Sequence, residues 1–180
     1  MKKILIVKCV AFAVAALSLF VAADASALDG YQDRRGLFAG VGIGGGAAIQ
    51  NDKVGGDMLL DVQIGGAPTK RVTFALDVDV RFQLVDGNSN WYLVPGPEFN
   101  FFLSDAIFMR LAGGLAFMFP EEDVMGKDLT LGLDVSLGVG YEFFVNSNWA
   151  IDFAIEGDYF LLDNIEDVVA IGFTIGMKFY

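Results

Sequence analysis

The chain has 180 residues; 54% are hydrophobic, yet 23 are acidic against 12 basic, and none is histidine. A net charge of −11 is repelled by phosphate and excludes nucleic acid as a partner. Mean hydropathy is +0.52, but past residue 27 no apolar run reaches the 18 or so residues of a membrane helix, so the apolar residues must be distributed by alternation.

Lys2 and Lys3 make a basic start, Ile4 to Val21 is apolar apart from Lys8, Cys9 and Ser18, and Ala25-Ser26-Ala27 supplies small residues for a peptidase. This pattern predicts a secretory signal peptide over 1–27 and one domain over 28–180. Cys9 is the sole cysteine, and Lys8 beside it spoils a lipoprotein signature, so the mature chain is expected to carry no disulfide. Removing Lys2, Lys3, Lys8 and Asp24 leaves 9 basic and 22 acidic residues, a net charge of −13.

From there, period-two alternation recurs eight times. The first strand, 36–49, sets Leu37, Val41 and Ile43 against Gly40, Gly42 and Gly44. The second, 57–66, sets Met58, Leu60, Val62 and Ile64 against Asp57, Asp61 and Gln63. The third, 71–84, has the clearest phase: Val72, Phe74, Leu76, Val78, Val80, Phe82 and Leu84 alternate with a face holding Arg71, Asp77, Asp79 and Arg81. The fourth, 91–103, opposes Trp91, Leu93, Phe99 and Phe101 to Tyr92, Glu98 and Asn100; Pro95 and Pro97 lack a ladder donor and predict a bulge or weak pairing.

The fifth strand, 107–119, puts Met109, Leu111, Leu115, Phe117 and Phe119 opposite Arg110, Ala112, Gly114 and Ala116. The sixth, 129–143, opposes Leu133, Val135, Leu137, Val139, Tyr141 and Phe143 to Asp134, Ser136, Gly138 and Glu142. The seventh, 149–160, opposes Trp149, Ile151, Phe153, Ile155 and Tyr159 to Asp152, Ala154, Glu156 and Asp158. The eighth, 169–179, opposes Ile171, Phe173, Ile175, Met177 and Phe179 to Gly172, Thr174, Gly176 and Lys178. The links at 67–70, 104–106 and 146–148 read as tight turns, those at 50–56, 85–90, 120–128 and 162–167 as longer acidic loops, the asymmetry of an outer-membrane barrel.

Volume decides which face is outside. An eight-stranded interior has room for only a modest filling of side chains, too little for so many Leu, Ile, Val and Phe, whereas the second face is rich in Gly, Ala, Ser and Thr with scattered charges. The expected fold is therefore all-β: an eight-stranded antiparallel up-and-down transmembrane β-barrel, apolar side to lipid. Trp91, Tyr159, Phe117 and Phe119 fall at loop ends, and Tyr141, Phe143, Trp149, Phe99, Phe101 and Phe179 at turn ends, as two interfacial aromatic belts require.

With its signal peptide, Gly-rich first strand GLFAGVGIGGG and aromatic end IGFTIGMKFY, the chain resembles the small eight-stranded outer-membrane barrels, the OmpA transmembrane domain and OmpX. The resemblance implies the cell outer membrane of a diderm bacterium, both termini periplasmic, insertion by the barrel-assembly machinery, and contact with outer-membrane lipids and lipopolysaccharide. It departs from the family at the end: Phe179 is in phase with the lipid face and Tyr180 one step out. Enzymes of this architecture, among them lipid A acyl-modifying enzymes, phospholipases and surface proteases, use an active-site histidine, so with none here no enzyme is expected.

The predicted lumen holds Arg71, Arg81, Arg110 and Lys178 against Asp57, Asp61, Asp77, Asp79, Glu98, Asp134, Glu142, Asp152, Glu156 and Asp158. Folding each hairpin about its turn sets residue 98 level with 112 and 100 with 110, and puts Glu142 opposite Asp152 with Lys178 at the same height. Isolated charges are costly in a narrow lumen, so these groups are expected to form a plugging network of salt bridges and water. The alternative is small-solute binding or transport through the acidic lumen, porin-like or like an OmpW channel, with Asp134, Glu156 and Asp158 at the loop-side mouth. The acidic loop 120–123 and Glu166-Asp167 could meet lipopolysaccharide phosphates through bridging divalent cations. No metal-ligand spacing or cofactor motif is present in the sequence, and no catalytic residue is assigned.

Overall fold

The computed structural model describes residues 34–120, 129–163 and 166–180; the signal peptide read over 1–27 and the acidic stretch 121–128 lie outside them. Eight strands follow in order: β1 (Gly36–Gln50), β2 (Lys53–Thr69), β3 (Val72–Val85), β4 (Asn88–Phe102), β5 (Ile107–Pro120), β6 (Thr130–Phe144), β7 (Trp149–Leu162) and β8 (Val168–Phe179). Each pairs antiparallel with its sequence neighbours and β8 returns to β1, closing the barrel. Closure satisfies every edge, the condition for strands to stand in hydrocarbon at all. Among the described residues there is no helix.

The register fixes the tilt. From Phe153, cross-strand partners run through Ile175, Ile43, Leu60, Val80, Leu93, Phe117 and Leu131, and Leu131 accepts the amide hydrogen of Asp163. One circuit thus ends ten residues further along β7, at 163 rather than 153. A stagger of that size on eight strands tilts them by about 40°. Strands of 12 to 17 residues are longer than the roughly 9–11 a tilted crossing needs, so their ends overhang the hydrocarbon.

The phase agrees with the sequence on every strand. Leu37, Ile43, Met58, Ile64, Leu76, Leu115, Leu137 and Phe173 stand on the outside; Asp57, Asp61, Glu98, Arg110, Asp134, Glu142, Asp152 and Lys178 are buried inside.

The connections differ from expectation in two places. The stretches 50–56 and 85–90 are not loops but two-residue turns, Asn51-Asp52 and Asp86-Gly87. All four turn residues have positive φ, 53°, 60°, 56° and 79°, the twist that joins neighbouring strands without splaying them. Strand pairing therefore runs on through Val54, Gly55 and Gly56 to the tip of the first hairpin, and only the β5–β6 and β7–β8 links on that side are long.

The proline pair weakens pairing without a bulge. The β4–β5 ladder lapses between Leu93↔Phe117 and Glu98↔Ala112 and resumes in the same register, because Pro95 and Pro97 have no N–H to give. The register shift occurs elsewhere, in β2–β3 between Gly66 and Thr69.

Candidate functional site

The lumen is filled in tiers. At the turn end, Glu142 on β6 and Asp152 on β7 are cross-strand partners, with Lys178 Nζ 3.8 Å from Glu142 Oε2 and 3.4 Å from Asp152 Oδ2. Arg34, just ahead of β1, places Nε 2.5 Å from Glu142 Oε1 and donates through Nη2 to the Asp105 carbonyl. Tyr180 donates its hydroxyl to Glu142 Oε2 at 2.9 Å. Inward rings fill the space between: Phe102 against Phe108, and Tyr180 against both Phe38 and Phe144.

At mid-height, Arg110 is the hub. Asn100↔Arg110 and Glu98↔Ala112 are cross-strand pairs, which brings Arg110 Nε to 3.2 Å from Glu98 Oε2. Its other nitrogens reach Glu156 and, at 3.5 Å, Asp152. Asn100 Nδ2 donates to Glu98 Oε1 at 2.6 Å and Thr174 Oγ1 to Glu156 Oε1 at 2.9 Å. Glu98 and Glu156 thus each hold a neutral donor besides the cation, which an ion pair taken out of water requires.

Higher again, Arg81 lies 2.6 Å from Asp158 Oδ1, 3.3 Å from Asp57 Oδ2 and 3.7 Å from Asp79 Oδ2. Above it the inward residues change character. Val85, Tyr92, Met118, Phe160, Leu162 and Val168 belong to one buried apolar cluster, with the Tyr92 and Phe160 rings 5.0 Å apart.

Two sequence-predicted placements need correction. Arg71 does not face the lumen: it is exposed in the β2–β3 turn, one residue short of β3, where a long cation remains in water. The cation in excess of Arg81, Arg110 and Lys178 is Arg34, in phase with Phe38 and Gly40 but ahead of the region read as strand. Asp134, Glu156 and Asp158 do not lie at an open mouth: at 4%, 7% and 3% exposure they sit below the apolar cluster. That cluster was missed because Tyr92, Met118, Phe160 and Leu162 fall on the face read as polar; the signal available was their parity.

Among the described residues, ten inward carboxylates face four cations. Asp61 is held by Gln63 Nε2 at 3.2 and 3.3 Å. Asp77 and Asp134 line, with Asp79, a cavity beside Gly96 and Pro97, with room for about one water molecule; one oxygen of each has no protein hydrogen bond. Among the described residues no group of three or more acidic, His or Cys side chains is arranged to hold a metal ion.

The aromatic residues named as belts divide by height. Trp91 and Tyr159 stand exposed near the loop ends, Phe143, Trp149 and Phe179 near the turn ends, and Tyr141 is half-buried beside Ile107. Trp91 packs on Phe82 at 4.9 Å and Trp149 edge-on to Phe179 at 5.4 Å.

A closed barrel, apolar outside and charged within, has the architecture of the eight-stranded outer-membrane β-barrels, which cross the bilayer with every strand. Solved structures agree. The chain is similar to Neisserial surface protein A, with a TM-score of 0.65 at 13% identity over 79% of this chain and 96% of that one. It is likewise similar to Ail, the attachment invasion locus protein of Yersinia pestis, with a TM-score of 0.54 at 13% identity over 81% and 98%. No protein-family model matches the sequence, and no curated protein matches it.

Proposed function

We infer that this protein is an outer-membrane barrel with a structural or surface-interaction role, its lumen closed by its own side chains and the water between them. One observation carries the reading: inward side chains are buried at every height, from Arg34 and Lys178 through Arg110 and Arg81 to Phe160 and Val168. A conducting pore of this width would need a file of water between its walls. The alternative, solute passage through an acidic lumen, requires Asp134, Glu156 and Asp158 to be reachable from the loop side, and the apolar cluster above them opposes it.

The surface-facing part of the reading leans on the two similar barrels, which are named as a surface protein and as an attachment invasion locus protein. The partners proposed are outer-membrane lipids and lipopolysaccharide, with divalent cations bridging its phosphates to Glu166, Asp167 and the acidic 120–123 stretch, and the assembly machinery during insertion. The first described residue, Arg34, and the C-terminal Tyr180 lie on the turn side, the periplasmic one in this reading. No catalytic role, cofactor or resident metal is proposed.

Planar-bilayer recording tests the closed lumen. The purified protein should give no steady conductance, and neither should Asp134→Asn. Regular openings whose size changes with Asp134→Asn would refute the reading in favour of transport.

A further inference from the structure

The ladder that closes the barrel covers the shortest stretch of strand, although the interrupted β4–β5 ladder has fewer pairs. The β1–β2 pairing spans fifteen residue pairs, whereas β1–β8 runs only from Ala39↔Phe179 to Ile49↔Val169, eleven pairs. Below Ala39 the first strand continues against β2, and Gly36 to Phe38 are outside the β1–β8 ladder. The side chains there do what the ladder does not.

Three groups from the two ends of the barrel converge on one buried carboxylate. Arg34, from the segment entering β1, reaches Glu142 Oε1 at 2.5 Å. Tyr180, immediately after β8, reaches Glu142 Oε2 at 2.9 Å. Lys178, inside β8, lies 3.8 Å from that same oxygen. Glu142 is 1% exposed, Arg34 3%, so these contacts are shielded from water and salt. The Arg34 guanidinium also lies 3.9 Å over the Phe102 ring, near enough for cation–π attraction, and donates to the Asp105 carbonyl in the β4–β5 turn. Phe38 of β1 and Tyr180, just past the end of β8, pack ring to ring at 5.4 Å.

We propose that Glu142 is the clasp of this barrel: it ties the start of the first strand to the end of the last, and the strap 34–38 held by it narrows the turn-side mouth. The carboxylate comes from β6, outside the seam, so the clasp pins both ends against a strand two places from β8. This differs from the closed-lumen reading, which the loop-side cluster alone could satisfy, and it stands whether or not the barrel conducts.

The test asks whether the turn-side mouth alone opens. In a Cys9→Ser chain refolded into detergent, a reporter is placed at Ala150, inward-facing and paired with Lys178 at the turn end. A control reporter goes at Ala170, inward-facing in the loop-side cluster; both positions are fully buried. Labelling by a charged, membrane-impermeant thiol reagent is timed. Arg34→Ala and Glu142→Gln should each speed reaction of Ala150→Cys at least tenfold, leave Ala170→Cys unchanged, and preserve the heat-dependent gel shift. Tyr180→Phe keeps the ring contacts and removes one hydroxyl, so it serves where the stronger variants fail to fold; a two- to threefold rise at Ala150→Cys is expected. No change at Ala150→Cys, or equal acceleration at both reporters, would overturn the clasp. Steady conductance from the unsubstituted protein with these labelling differences intact would refute the closed lumen and leave the clasp standing.

Discussion

Arg110→Met removes the hub of the lumen while keeping most of its volume. Four groups lose a partner: Glu98, Glu156, Asp152 and the side-chain Oδ1 of Asn100, which accepts from Nε at 3.2 Å. Asp152 retains Lys178 at 3.4 Å, so its loss is small. Glu98 and Glu156 keep only neutral donors, Asn100 and Thr174, and each becomes a buried charge without a counter-ion. Breaking a buried pair from one side costs about 3–5 kcal/mol, and that is the destabilisation expected. Converting Glu98 and Glu156 to Gln in the same chain removes the orphaned charges and should restore at least half of it, since partners in one network do not add independently. Denaturant unfolding in lipid vesicles, followed by fluorescence of Trp91 and Trp149 on the outer face, measures both. A single variant within about 1 kcal/mol of the parent, or a triple variant no better than the single, would refute the claim that Arg110 neutralises these acids.

Three further substitutions separate other contributions. Gly96→Ala drives a methyl group into the Gly113 carbonyl oxygen and the Gly114 backbone across the β4–β5 gap, so it should cost about 3 kcal/mol or more in the same assay, whereas Gly56→Ala meets open space and should be neutral or stabilising by about 0.5 kcal/mol. Gly87→Ala also has room, but φ is +79° there, so the backbone alone should cost about 1 kcal/mol. Lys53→Ala breaks a bridge to Asp86 between two hairpin tips; with both side chains about half exposed it should change stability by under about 1 kcal/mol, an effect that fades as salt is raised.

What the sequence carried well was phase and relative height. Alternation assigned Asp57, Glu98, Arg110, Glu142 and Asp152 to one side because only a strand separates neighbours so sharply, and hairpin geometry then set Glu98 beside Arg110 and Glu142 across from Asp152. Where alternation stops was harder to read. Asn51-Asp52 and Asp86-Gly87 look like loop because Asn, Asp and Gly are poor strand formers, yet those types also tolerate the positive φ a two-residue turn demands. Arg71 has the parity of Asp77 but stands one residue beyond the ladder, where parity no longer dictates direction. Arg34 is the converse: its partners lie 71 and 108 residues away, a distance no local pattern reports. The loop-side cluster was hidden by the assumption that one face carries one polarity along its whole length; Phe160 and Glu156 share a face of β7 and occupy different media.

The lapse between β4 and β5 bears on how the barrel comes apart. A hoop under tension parts at its weakest joint, wherever the load is applied. Eight joints hold this one, and between Leu93 and Glu98 one of them has no ladder pairs and two residues that could never donate. That joint lies midway along the staves, beside the cavity holding Asp77 and Asp134. Water or a partner able to reach the wall would find the fewest pairs to break in the middle of the sheet, where Gly96 and Gly113 still lie in close approach, and the seam between the first and last strands, fastened at its foot by Glu142, would be among the later joints to give.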